Sequence, residues 1–171
     1  MTASQVVSLK DRWAILIATA FGIGRAPKAP GTFGSLPGLA VGAGINLAAS
    51  RFGDSGTWGF HGLVLLSLVM VSAVAYWSID RTEKVLSVHD DQSIVIDEVA
   101  GQAIAVAWLP VDWVPYLAAF ALFRLFDITK PGPIGKIDRD VPGTWGTLGD
   151  DLLAGVVAGL VGWGLFHALP V

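Results

Sequence analysis

Five carboxylates in this chain stand at the edges of long apolar stretches: Asp97 and Glu98, then Asp127, then the pair Asp150 and Asp151. A carboxylate in such a place costs several kcal/mol unless it is paired or holds a metal, so each is a candidate functional group. The sequence has no cysteine and only three histidines. An all-oxygen donor set of this kind suits Mg2+ or Mn2+ better than zinc or copper. Lys28, Lys130 and Arg139 lie in the same polar stretches. Lysine and arginine beside a divalent cation point to a phosphate-bearing substrate. A site at the rim of apolar segments points further, to a lipid phosphate.

Three polar segments carry these groups. The first, Gly24-Arg-Ala-Pro-Lys-Ala-Pro-Gly-Thr-Phe-Gly-Ser35, is rich in glycine and small hydroxyl residues that let backbone N–H groups approach an anion. Arg25, Lys28, Thr32 and Ser35 are its candidate phosphate contacts; the alternative is a tight loop capping the next helix. It lacks the Gly-Lys-Ser/Thr ending of a Walker loop. The second segment runs from His89 to Glu98. Asp97 and Glu98 point about 100° apart on a helix, and the helix macrodipole also favours acids at such a start. His89 and Asp90 are candidate acid–base groups. The third segment runs from Phe123 to Asp151. Arg124 is spaced to pair with Asp127, and Pro131 ends a helix with Lys130 at its boundary. Asp150 and Asp151 are expected to open the final helix, one as N-cap and the other as a metal ligand. Pro30-Gly-Thr-Phe-Gly-Ser-Leu36 and Pro142-Gly-Thr-Trp-Gly-Thr-Leu148 match when Phe/Trp and Ser/Thr are exchanged, which predicts two similar turns at one surface.

The elements that must position these groups are unusually apolar. Of 171 residues, forming a single domain over 1–171, 53% are hydrophobic and 15% charged, against about 25% charged in soluble domains. A mean hydropathy of +0.62 excludes a disordered chain. A net charge of −3 speaks against a nucleic-acid partner. Zero cysteine excludes a disulfide scaffold, a thiolate metal site and a cysteine nucleophile. Trp58 to Ile79 contains no acid or base and spans about 33 Å as a helix, enough for a ~30 Å hydrocarbon core. Phe33 to Ser50 and Leu152 to Val171 are also uncharged. Gln92–Leu109 and Val114–Phe126 flank a turn at Pro110-Val-Asp-Trp113. The expected fold is all-α: a polytopic membrane helical bundle of about five spanning or near-spanning helices. A shorter apolar stretch, Trp13–Ile23, is expected to form an interfacial or re-entrant helix.

Five spans put residues 1–32, 80–98 and 124–151 on one side, which then holds ten of the eleven basic residues and twelve of the fourteen acids. The basic residues place that side in the cytoplasm. Trp58, Trp108 and Trp113 fall at the outer boundary, Trp13 and Trp77 near the inner one. Gly38-x-x-x-Gly42 and Gly155-x-x-x-Gly159 predict close helix contacts, within the monomer rather than between subunits.

The ordered set Ala29-Pro-Gly-Thr-Phe-Gly-Ser35, His89-Asp90, Ile94-Val-Ile-Asp-Glu98, Phe123-Arg-Leu-Phe-Asp-Ile-Thr-Lys-Pro131 and Asp150-Asp-Leu-Leu-Ala-Gly155 resembles the phosphatidylglycerophosphatase A family over essentially the whole chain. The resemblance implies a multi-pass enzyme of the bacterial inner membrane that converts phosphatidylglycerophosphate to phosphatidylglycerol and phosphate with Mg2+. The favoured mechanism is metal-assisted attack of water, with Asp97, Glu98, Asp127 and Asp150 or Asp151 as ligands and Lys130, with Lys28 or Arg139, neutralising charge. The alternative is an aspartyl-phosphate formed on Asp127 or another aspartate. A different class, a small transporter or lipid-binding scaffold with a carboxylate ion site, would place its ionisable groups near the bilayer midplane rather than at one boundary.

Overall fold

The computed structural model describes residues 8–89 and 91–168, with the side chains of 167 and 168 excepted. Asp90 lies outside the described residues. The described chain is all-helical: α1 (Leu9–Ala18), α2 (Pro30–Ala49), α3 (Trp58–Leu86), α4 (Ile96–Val106), α5 (Trp113–Thr129), α6 (Pro133–Asp140) and α7 (Thr144–Ala168), with a single 3₁₀ turn at Ile23–Arg25. Among the described residues, three segments are long and apolar enough to cross a membrane: Pro30–Ala49, Trp58–Leu86 and Thr144–Phe166. α4 and α5 are shorter, at 11 and 17 residues.

The bundle is built around α4, most of whose residues are buried. Its small side chains let α2 and α7 pack closely on either side of it. A Cβ on Gly42 of α2 would stand 2.3 Å from Val106 Cγ2, and one on Gly155 of α7 would stand 2.2 Å from the Gly101 carbonyl oxygen. Both glycine pairs singled out in the sequence therefore serve contacts inside the monomer. At the far end, Asn46 Nδ2 donates to the carbonyls of Ala107 and Leu109, both at 3.0 Å, satisfying acceptors that the end of α4 leaves open. The turn before α5 forms as expected: Asp112 is its N-cap and accepts from Val114 N at 3.0 Å.

Three boundaries differ from the sequence expectation. α3 continues seven residues past Ile79, held by a Lys84–Asp80 pair at 2.7 Å and by Arg81 against Asp11 of α1 at 2.6 Å. At 1.5 Å per residue α3 is about 43 Å long, so its charged last turns project beyond a hydrocarbon core. The N-terminal helix ends at Ala18 rather than Ile23, where the backbone reverses through left-handed Ala20, Phe21 and Gly22. α7 starts at Thr144, so Asp150 and Asp151 lie more than one turn inside it and neither is its N-cap. Gly143, at φ 69°, supplies the break instead. The echoed segments both open long helices, but not identically: Pro30 is already helical in α2, whereas Pro142 precedes α7.

Candidate active site

The N-terminal turns of α4, the end of α5 and the second and third turns of α7 meet around a cavity of about 230 Å³. Asp97, Glu98, Asp127, Lys130, Asp138, Asp150 and Asp151 all line it, together with His89 and Asp91 of the loop before α4. Asp97 and Glu98 are placed by the start of α4, where Asp97 Oδ1 also accepts from the Glu98 amide at 3.0 Å. Oxygens of Asp97, Glu98 and Asp151 lie within 4.8 Å of one another, and Asp97 and Asp151 are buried. Asp127 is bound by Arg124 one turn earlier on α5. Close approach of α2 at Gly31 brings its backbone against the Glu98 carboxylate, where a Cβ would come within 2.2 Å of Oε1.

Lys130 caps α5 in a left-handed conformation, φ 43°. That geometry turns its ammonium back across the cavity mouth, to Asp138 Oδ1 at 2.5 Å and Asp150 Oδ2 at 2.6 Å. Burial opposes its charge, but the two carboxylates outweigh burial and hold its pKa above the ordinary lysine value. On the other rim, Asp91 accepts from the Ser93 hydroxyl at 2.5 Å and the Ser93 amide at 2.8 Å. These bonds, the hydroxyl's first, lower its pKa below the usual carboxylate value.

The first polar segment is placed differently. Pro30 reaches the cavity wall, but the stretch from Pro30 onward is helix rather than an anion-cradling loop. Ser35 is fully buried with its hydroxyl donating to Gly31 O at 2.8 Å. Arg25 and Lys28 are exposed, Thr32 is half-buried, and none of the three lines the cavity. Arg139 is likewise exposed on α6 and outside the lining. Sequence reasoning overlooked three participants: Asp138 as a partner of Lys130, Asp91, and Glu83 on the extension of α3. Glu83 Oε1 sits 2.7 Å from His89 Nδ1 and 3.3 Å from the Thr147 hydroxyl, and Oε2 accepts from the Thr144 hydroxyl at 3.1 Å. The signal available for Glu83 was weak, because a charged helix end normally reads as a solvated face.

The donor set fits a hard divalent cation. Seven carboxylates share the cavity with Lys130, while Arg124 is engaged by Asp127. Among the described residues, buried Glu98 Oε2 and Asp150 Oδ1 have no hydrogen-bond partner, an arrangement that is costly unless a cation supplies one.

Apolar helices around an acidic pocket, with a lysine at its mouth, define a membrane-type helical protein whose carboxylate cluster could hold a cation. The family model for phosphatidylglycerophosphatase A matches residues 16–166, and the chain belongs to that family. It is 37% identical to phosphatidylglycerophosphatase A of Haemophilus influenzae over 147 residues, covering 85% of this chain and 84% of the relative. It is 32% identical to phosphatidylglycerophosphatase A of Escherichia coli over 170 residues, 99% and 92% of the two chains. A Bacteroides thetaiotaomicron protein provisionally named a phosphatidylinositol-3-phosphatase is 37% identical over 83% of this chain and 86% of its own length. No solved structure shows a significant match. The chain is accordingly a phosphoric monoester hydrolase.

Proposed function

We propose that this protein removes the terminal phosphate of phosphatidylglycerophosphate, giving phosphatidylglycerol and inorganic phosphate, at the cytoplasmic face of a bacterial inner membrane. The observation that carries this reading is the Lys130 ammonium, held by Asp138 and Asp150 at the mouth of a pocket lined by five further carboxylates. Asp97, Glu98 and Asp151 would hold Mg2+, with Asp127 at the edge of the set. When bound, the ion supplies charge neutralisation on the phosphoryl oxygens. Lys130 contacts the same oxygens from the opposite rim and stabilises the charge that develops there. A carboxylate of the cluster orients water for in-line attack, and the phosphorus–oxygen bond to the glycerol breaks. His89, with Nδ1–H donated to Glu83, keeps its second ring nitrogen to protonate the departing alkoxide oxygen. Glu83 acts through His89 as a positioning residue.

Positive charge concentrated at the pocket end supports the cytoplasmic orientation. α4 and α5 return the chain to that same side whether the pair crosses fully or enters as a hairpin. Phosphate release from phosphatidylglycerophosphate in mixed micelles tests the proposal, with phosphatidic acid and phosphatidylinositol 3-phosphate as competing substrates. Release that needs Mg2+, stops with EDTA and falls about 10²-fold in Asp127→Asn is expected. No release from any of the three lipids would refute the reading, and a preference for another lipid would refute the substrate.

A further inference from the structure

The α3–α7 face of the bundle carries a groove that the phosphatase chemistry does not use. Its inner part, about 550 Å³, lies between Leu65, Val69 and Ala73 of α3 and Leu152 and Val156 of α7, floored by Ile104 of α4. A second hollow of about 440 Å³ continues it toward Trp163, sharing Ile104, Trp108 and Val156. Both are lined almost wholly by apolar side chains. At the inner end Tyr76 and Trp145 pack ring on ring, centroids 4.7 Å apart. Beyond that pair the lining changes character. The next hollow, about 530 Å³, shares Tyr76 and Trp145, and its lining adds Asp80, Glu83, Lys84 and His89 to apolar Val88 and Pro142. His89 also lines the acidic cavity.

We infer that the groove between α3 and α7 holds the acyl chains of the lipid substrate, with the Tyr76–Trp145 pair at the level of its ester groups. This rests on the proposed lipid-phosphatase reading. Continuity is the first argument: shared residues join an apolar trough, a hollow of mixed polar and apolar lining and the acidic cavity into one path, in the order tail, headgroup, phosphate. Depth is the second. Leu65 and Tyr76 lie eleven residues apart on α3, about 16 Å along its axis, against about 15 Å for half of a ~30 Å hydrocarbon core. The aromatic pair then falls at the interface, the level that Trp and Tyr favour. The mixed hollow between the pair and His89 gives room for a headgroup longer than a bare phosphate. A lipid with a glycerol spacer reaches the acidic cavity while its chains stay in the groove.

The test compares a long-chain phosphatidylglycerophosphate with a water-soluble short-chain analogue in the same detergent. Ala73→Trp fills the groove from an exposed position. Val74→Trp puts the same ring on the neighbouring position of α3, which lines none of these hollows. Ala73→Trp is expected to lower the long-chain to short-chain ratio of kcat/KM at least tenfold, through KM, whereas Val74→Trp leaves the ratio as it was. A lipid carrying a photoreactive group in its acyl chain, added to vesicles containing the protein, is expected to label Ile104 and Ser72, both in the lining of the inner groove. Equal ratios in the two variants, or labelling spread evenly over the exposed faces of α2 and α3, would overturn the inference and make the groove ordinary lipid-facing surface. Failure of the unaltered protein to cleave either substrate would instead count against the phosphatase reading, and the labelling would still decide the groove.

Discussion

Replacing Asp151 by asparagine separates the cost of the acidic cluster from its use. The side chain is buried on α7, and its oxygen lies within 4.8 Å of those of Asp97 and Glu98. Two like charges at that separation repel by about 3.5 kcal/mol at an effective dielectric of ~20. Arg124 and the N-terminal dipole of α4 screen part of the sum over both neighbours. At a pH where all three carboxylates are ionised, one pair's worth, about 3 kcal/mol, is therefore the expected gain when Asp151→Asn removes a charge without changing side-chain shape. For a chain of this length that corresponds to a rise in Tm of about 6–12 °C.

Metal reverses the sign. An ion bound only by the folded protein stabilises it by about 2.7 kcal/mol at one hundred times its Kd, and Asp151→Asn would remove one of its proposed ligands. Thermal unfolding followed by tryptophan fluorescence in detergent, with EDTA and over a Mg2+ titration, reads both effects. The unaltered protein is expected to start lower and climb with Mg2+, while the variant starts higher and stays flat. A variant that melts lower in EDTA, or that keeps the full Mg2+ response, would refute the assignment of Asp151 to a cation site.

Lys130→Gln is expected to cost about 10²-fold in kcat at saturating Mg2+, measured by phosphate release. Because the folded pKa of Lys130 is raised, its stabilisation is complete below the ordinary value of about 10.4 and fades as pH climbs through the higher folded value. The variant should lose that alkaline step from a plot of Tm against pH. His89→Gln should lower kcat about 10²-fold on an alkyl phosphate monoester and far less on an aryl one, whose leaving group needs no proton; equal losses on both would remove the acid role. Gly101→Ala places a Cβ 2.5 Å from the Asp151 carbonyl oxygen and 2.6 Å from Phe123 Cε2. Pushing α7 and α5 outward should destabilise by about 1–3 kcal/mol and raise the Mg2+ concentration needed for half-maximal activity.

Much of this was written locally in the chain. Pro131 stops α5 and leaves Lys130 at the boundary; Arg124 and Asp127 stand at pairing distance on one turn; Pro110 and Asp112 make the turn into α5. Apolar runs marked the long helices because their period and length need no tertiary information. What escaped depends on neighbours distant in sequence. Gly143-Thr-Trp-Gly-Thr-Leu-Gly149 has a loop composition, yet it is helical from Thr144, and Gly146 is required because a Cβ there would meet Val141 O at 2.1 Å. Asp138 looks like one charge of a solvated helix until α6 folds back and presents it to Lys130. Glu83 acquires meaning only when α7 brings Thr144 and Thr147 beside it.

The same dependence explains why the acidic residues and the glycines belong to one design. Asp97 and Asp151 come within reach of a shared ion because α4 and α7 approach until Gly155 touches the Gly101 backbone. Glu98 joins them because Gly31 lets α2 close over its carboxylate. Side chains at those positions would separate the helices and weaken packing and cation site together. Close backbone contact in an apolar bundle draws little hydrophobic driving force from a lipid environment. A cation held there would then do more than serve the chemistry: it would offset repulsion that the packing itself creates, so metal dependence should be visible in stability as well as in turnover.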